Sequence, residues 1–245
     1  MRIFVAIDDT DNLESKGTGF RSRELAALLQ KNGCGSIIGV TRHQLYVHEN
    51  IPYTSHNSSA CISLESSPEH VDKIIELSAA YLLENAAQGS DAGLCVCPED
   101  KVTDELKQYA TRAKKEVLTM DMARELSKKC GIFLEGYTGT KQGIIGSLAA
   151  VGLHSAGNDG RFLLAKGMRE IFGRYTAEEI LKITGVQAIK TLDNKNLFTF
   201  ETVLLTEWWR PVLKDSQAVL YVEPINNVAN EYTVISKDLI KNISN

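Results

Sequence analysis

Ile3-Phe4-Val5-Ala6-Ile7-Asp8-Asp9-Thr10-Asp11 is the stretch from which the rest of the chain is read. Its five leading apolar residues predict a strand buried on both faces. Three carboxylates and a hydroxyl follow directly. At the carboxyl end of a strand in an open α/β sheet, that is where ligands collect. Asp8, Asp9 and Asp11 repel one another unless a cation or hydrogen-bond donors offset the charge. Hard oxygen ligands suit Mg²⁺, which takes one or two protein carboxylates and completes its shell with water and nucleotide phosphate. Asp8 and Asp11 are the expected metal ligands. A solvated polar turn capping the next helix is the alternative.

The following segment strengthens the phosphate reading. Asn12-Leu13-Glu14-Ser15-Lys16-Gly17-Thr18-Gly19 leads into a helix over residues 20–31 whose apolar positions are Phe20, Leu25, Leu28 and Leu29. Gly17 and Gly19 let backbone approach a ligand closely, and Thr18 lies beside free helix N–H groups that favour a phosphate. Lys16 adds a point charge, and Thr10 completes the set of expected nucleotide-binding residues in this half of the site. A flexible connector remains the alternative, since the pattern is not a Walker motif.

With 245 residues, 43% of them hydrophobic, the chain can bury one large core or two modest ones. No apolar run nears the ~20 residues that span a bilayer, and the N-terminus enters a strand without a leader pattern, so a cytoplasmic chain with no membrane contact is expected. A net charge of −4 argues against a broad electrostatic grip on nucleic acid. Basic clusters at Arg21/Arg23, Arg112/Lys114/Lys115 and Lys128/Lys129 read individually as solvated helix faces. Cys34, Cys61, Cys95, Cys97 and Cys130 lack framework spacing and read as reduced, buried thiols.

Further strands are expected at 36–41, 60–65, 93–97 and 132–134, with helices at 68–85 and within 101–130. Residues 42–57 read as a polar surface loop carrying His43, His48 and His56, without metal-site spacing. A glycine-rich turn, Gly136-Tyr137-Thr138-Gly139-Thr140-Lys141-Gln142-Gly143, then opens a helix rich in small residues. Gly139, Lys141 and Gly143 are either a second set of phosphate contacts or, for the glycines, aids to close helix packing. Residues 155–160 shift to Ser, Gly, Asn and Asp. Beyond them a helix at 177–183 and alternating runs at 186–192, 197–205 and 217–223 predict a mostly antiparallel region. Trp208 and Trp209 read as one buried ring and one at the rim.

Assembled, Ile7-Asp8-Asp9-Thr10-Asp11 with Thr18, the segment from Ile51-Pro52-Tyr53 to Ala60, the strand around Gly93, and the block Gly143-Ile144-Ile145-Gly146-Ser147-Leu148-Ala149-Ala150 resemble, in the same order, the archaeal tRNA-isoleucine 2-agmatinylcytidine synthetase family. The resemblance implies an α/β (α+β) fold, with a kinase-like α/β region at 1–155 and a ferredoxin-like α+β region at 156–245, the boundary left open and interleaving allowed. It implies ATP and Mg²⁺ as cofactors, with tRNA and a small amine such as agmatine as partners. In that family ATP phosphorylates carbon 2 of a wobble cytidine and agmatine displaces the phosphate. Residues matching Asp8, Asp9 and Asp11 serve ATP and metal, and a threonine matching Thr18 becomes phosphorylated. The chain departs from the pattern at Gly17, where the family has cysteine, and at His56, where a basic arginine is expected. Full-length members continue into an OB-fold and a zinc ribbon. This chain ends at Asn245 without a C-x-x-C pair, so a short form is expected. A stand-alone small-molecule kinase or ligase and a nucleotide-sensing module without turnover are the alternatives, and a homodimer is left open.

Overall fold

A computed structural model describes residues 1–51, 57–226 and 228–244. Pro52, Tyr53 and His56, which entered the sequence reading, lie outside the described residues. The chain divides into two compact units, Met1–Ala156 and Gly157–Asn245, each described by itself below. Among the described residues no helix is long and apolar enough to cross a membrane.

In the first unit the chain runs β1 (Arg2–Asp8), α1 (Thr18–Lys31), β2 (Ser36–Gln44), β3 (Ser58–Glu65), α2 (Val71–Asn85), β4 (Gly93–Pro98), α3 (Asp104–Arg112), α4 (Met120–Cys130), β5 (Phe133–Gly136) and α5 (Gly143–Ala156). The strands pair antiparallel throughout in the order β5-β4-β1-β3-β2. The class is the expected mixed α/β one. Its first ninety-odd residues form a βαββαβ unit, the ferredoxin-like split βαβ arrangement. That arrangement lies at the front of the chain.

The reason is visible in β1, where Ile3 to Ile7 are all within 1% of full burial. Phe4 and Ala6 join Cys61, Cys95 and Cys97 against α3, α4 and α5 in one apolar layer. By the alternation of a strand, Ile3, Val5 and Ile7 face the other way, where α1 and α2 approach the sheet. Helices on both faces make a central antiparallel strand as continuously apolar as a parallel one. Local signals set the helix ends: Thr103 and Thr119 cap α3 and α4 by accepting from the N–H groups of Leu106 and Met122, and Gly131 closes α4 in the left-handed conformation.

The second unit contains β6 (Arg161–Ala165), β7 (Gly173–Thr176), α6 (Ala177–Ile183), β8 (Ala188–Thr191), β9 (Thr202–Leu205), β10 (Val212–Lys214), β11 (Gln217–Pro224), β12 (Glu231–Val234) and α7 (Lys237–Ile243). β11 is its spine, pairing antiparallel with β10 at one end and β12 at the other, and parallel with β8 between. Trp209 is buried in its core and donates its indole N–H to the Ile171 carbonyl at 3.1 Å, while Trp208 is half-buried beneath Arg210 and Lys237. The thiol reading also holds: Cys34, Cys61, Cys95 and Cys97 are buried and unbridged, and Cys130 is partly so.

Candidate functional site

The chain leaves β1 at Asp8 and turns sharply, with Asp9 in the left-handed region at φ 48°. A non-glycine residue rarely sits there, and such strain is held only where surrounding contacts enforce it. The turn brings Thr10 back over the start of α1. Thr10 is fully buried, and both its main-chain N–H and its hydroxyl donate to the Thr18 Oγ1, at 3.3 and 3.0 Å. The Thr18 hydroxyl in turn donates to the Asp11 carboxylate at 2.8 Å. One directed relay thus runs Thr10 to Thr18 to Asp11. It aims the Thr18 proton at a carboxylate, and Thr18 lines a cavity.

That cavity, about 850 Å³ with its open mouth included, is lined at one end by Asp8, Asp9, Asp11 and Thr18. The same cavity is also lined by the apolar Leu45, Leu118 and Ile145 and by Asn57, Glu116 and Gln142. A shallower cleft of about 480 Å³ shares Asp11 and Thr18 and adds Gly17, Gly19 and Arg42. Both belong to the first unit. No side chain caps α1 at Gly17, which leaves its N-terminal dipole directed at these clefts.

Electrostatics at the acidic end is severe. Burial first, and Asp9 second, push the Asp8 carboxyl up to about 8. Burial and then Asp91 push Asp9 up to about 6. Groups that hold protons this tightly are groups that a cation would satisfy. Among the described residues no three acidic, histidine or cysteine side chains form a metal cluster by themselves. Two carboxylates such as Asp8 and Asp11 are the number that a Mg²⁺ shared with phosphate would need from the protein.

The glycine-rich turn before α5 behaves differently from the expectation of phosphate contacts. Gly139 and Lys141 line neither cleft among the described residues, and Lys141 instead reaches Glu135 at 3.5 Å. The turn is wrapped around Asp91, whose carboxylate accepts from the Thr140 N–H at 2.6 Å and its hydroxyl at 2.5 Å. A Cβ on Gly139 would meet that carboxylate at 1.9 Å. Gly143 lines the cavity, but its N–H is already given to the Asp91 carbonyl at 2.8 Å. Gly146 serves packing: a Cβ there would lie 1.8 Å from Asp8 Oδ2. Lys16 also lies outside both clefts, over the Phe20 ring at 4.0 Å.

Asp91 and Glu116 escaped the sequence reading, since neither belongs to a motif; a lone acid just before a predicted strand is the only trace Asp91 leaves. His43 is a further correction. It sits in β2, fully buried, and not in a surface loop. Its Nε2 and the Nδ1 of His154 lie 2.8 and 2.7 Å from the shared Thr41 hydroxyl.

No family model matches the chain. It is 28% identical over 159 residues to an uncharacterized protein of Methanocaldococcus jannaschii, an alignment covering 62% of this chain and 50% of that one. It is 25% identical over 154 residues to the tRNA-isoleucine 2-agmatinylcytidine synthetase TiaS of Cenarchaeum symbiosum, covering 62% and 33%. A solved structure of TiaS in complex with its isoleucine tRNA and ATP superposes with a TM-score of 0.54 at 27% identity, over 62% of this chain and 36% of that one. The resemblance to the agmatinylcytidine synthetases is thus found in both sequence and fold, and the chain spans half or less of the length of these relatives.

Proposed function

We propose that the chain is an ATP-dependent enzyme that phosphorylates a cytidine-like carbonyl oxygen and so activates the ring carbon for attack by an amine. The observation that carries this reading is the Thr10–Thr18–Asp11 relay opening into a cavity with Asp8 and Asp9, in a fold like that of the ATP-bound synthetase. Asp8 and Asp11 would hold Mg²⁺, which supplies neutralisation of the ATP phosphates when bound. The α1 N-terminus with Gly17 and Gly19 receives phosphate oxygens, and Asp9 orients the attacking group. When Thr18 itself accepts a phosphoryl group, Asp11 takes its proton as the new O–P bond forms and the ADP oxygen leaves. With the carbonyl oxygen as acceptor, the ring C–O bond breaks after amine attack and phosphate departs. The apolar lining residues Leu45, Leu118 and Ile145, with Glu116 and Gln142, give a base-like acceptor both contact surface and hydrogen-bonding groups.

By analogy with the synthetases, the acceptor is a tRNA and the amine resembles agmatine. The net charge of −4 favours a second reading in which the acceptor is a small molecule. Salt-dependent tRNA binding supports the first and its lack the second. The deciding experiment is incubation with γ-labelled ATP and Mg²⁺ beside Asp9→Ala and Thr18→Ala. Metal-dependent turnover lost in Asp9→Ala is expected, with any protein label lost in Thr18→Ala. Tight nucleotide binding without turnover would make the chain a sensor. Failure to bind nucleotide at all would overturn the reading.

A further inference from the structure

The second unit displays two aromatic rings that its core does not use. Phe198 and Phe200, between β8 and β9, are 67% and 63% exposed. Their rings stack nearly parallel, 6° apart in plane with centroids at 5.7 Å. Leu197 beside them packs against the core of the unit instead. Apolar side chains exposed singly are normal on a protein surface. A stacked pair held out by a fixed turn is different, because it keeps in water the faces that burial would stabilise.

The turn is fastened from beneath. Glu201 is buried, and its carboxylate accepts from the Phe198 N–H at 2.6 Å and from the Tyr232 hydroxyl of β12 at 2.9 Å. The Glu201 N–H donates back to the Phe198 carbonyl at 3.1 Å. The Thr199 and Glu201 carbonyls accept from the Glu178 and Ala177 N–H groups of α6, at 3.1 and 2.8 Å. A buried carboxylate thus holds an exposed turn, and the rings are ordered before a ligand arrives, which lowers the cost of binding one.

The two rings together offer on the order of 250 Å², far below the ~800 Å² that each partner gives to a stable protein interface. Two parallel π-faces of that size match one or two nucleic-acid bases, which stack on aromatic side chains with little regard to sequence. Residues 177–200 carry Lys182, Lys190 and Lys195 against Glu178, Glu179 and Asp193, so they supply no net attraction for phosphate. Contact there is by stacking. We propose that Phe198 and Phe200 are a stacking platform for unpaired bases of a single-stranded RNA segment. The platform deepens the reading in which the acceptor is a tRNA, and it rests on that reading for the choice of RNA.

The test uses the full chain and an end-labelled single-stranded oligoadenylate RNA, without ATP, with binding followed by fluorescence anisotropy. Phe198→Ala and Phe200→Ala are each expected to weaken binding about tenfold, Phe200→Leu nearly as much, and Phe200→Trp by less than about threefold. Because the contribution is stacking, the ratio of wild-type to Phe200→Ala affinity is expected to stay constant as salt rises, even where both affinities fall. Both rings are exposed, so the variants are expected to keep the wild-type melting temperature, which circular dichroism checks. Wild-type affinity in Phe200→Leu, or no RNA binding by the wild type, would overturn the proposal. Self-association in sedimentation that the alanine variants lose would overturn it too, and make the pair a protein contact. Turnover of γ-labelled ATP on the same preparations separates the two readings. RNA binding through the rings without turnover overturns the functional reading alone, and turnover without such binding overturns the platform alone.

Discussion

At the scale of single residues, the acidic end of the cavity sets a conflict between stability and function. Asp8 sits at about 8 and Asp9 at about 6, both above the usual carboxylate value. The folded state therefore binds more protons than the unfolded one between about pH 4 and 8, and stability falls as pH rises through that window. Asp8→Asn is expected to raise Tm at pH 8, to change it little at pH 4, and to abolish ATP turnover. Thermal melts at the two pH values check the sign. A variant no more stable at pH 8 than the wild type would mean the charge is already compensated. Gly146 belongs to the same conflict, because its missing Cβ is the space that Asp8 Oδ2 occupies. Gly146→Ala is expected to cost about 1–3 kcal/mol of stability and to weaken ATP binding at least about tenfold. Urea melts and calorimetric titration with Mg²⁺ and ATP measure both. The acidic residues were legible in the sequence because like charges in a row announce themselves. Asp91 was not, because its partner Thr140 is remote along the chain.

At the scale of elements, the two-sided burial of β1 was legible and its pairing was not. An apolar run reports how many faces are covered, not the direction of the neighbouring strands, and here helices on both faces supply the cover. The glycine-rich turn misled in a related way: positive φ and close approach are what a phosphate loop needs, and a buried carboxylate uses them equally well. β2 carries the plainest case of a loop reading overturned by tertiary structure. His43 and His154 share the Thr41 hydroxyl between β2 and α5, with Phe4 of β1 against the His154 ring. Burial first, then His43 and Arg2, bring His154 down to about 3. A buried neutral histidine must gain a proton on unfolding below its free value near 6.5. Stability is therefore expected to fall with acidification below about pH 6.5, by about 2 kcal/mol at pH 5 from this residue. Urea melts from pH 7 to 5 on wild type and His154→Asn test this. The acid-side slope should flatten in the variant, and an unchanged slope would assign it elsewhere.

At the scale of the molecule, each unit has its own core. One apolar cluster in the first unit joins β1, β3 and β4 to α3, α4 and α5. In the second, Phe162, Ile180, Val203, Trp209 and Leu220 pack with their neighbours in a separate one. The composition shift at 155–160 marks the change between the units, because a chain passing from one core to another needs no apolar residues there. The second unit was harder to read: β6, β7, β10 and β12 are each three to five residues long, too short to show a period. Every described residue lining the cavity falls between Asp8 and Gly146, inside the first unit. The cavity therefore draws its walls from one self-contained core, and residues 1–156 are expected to fold alone and to bind ATP with Mg²⁺ within about threefold of the full chain, since independent sites couple weakly. Circular dichroism melts and calorimetric titration of the two proteins side by side measure this. A folded 1–156 fragment that has lost nucleotide binding would mean that the second unit contributes to the site. Full affinity would give the second unit a task other than holding ATP, and acceptor binding by the full chain alone would then show which.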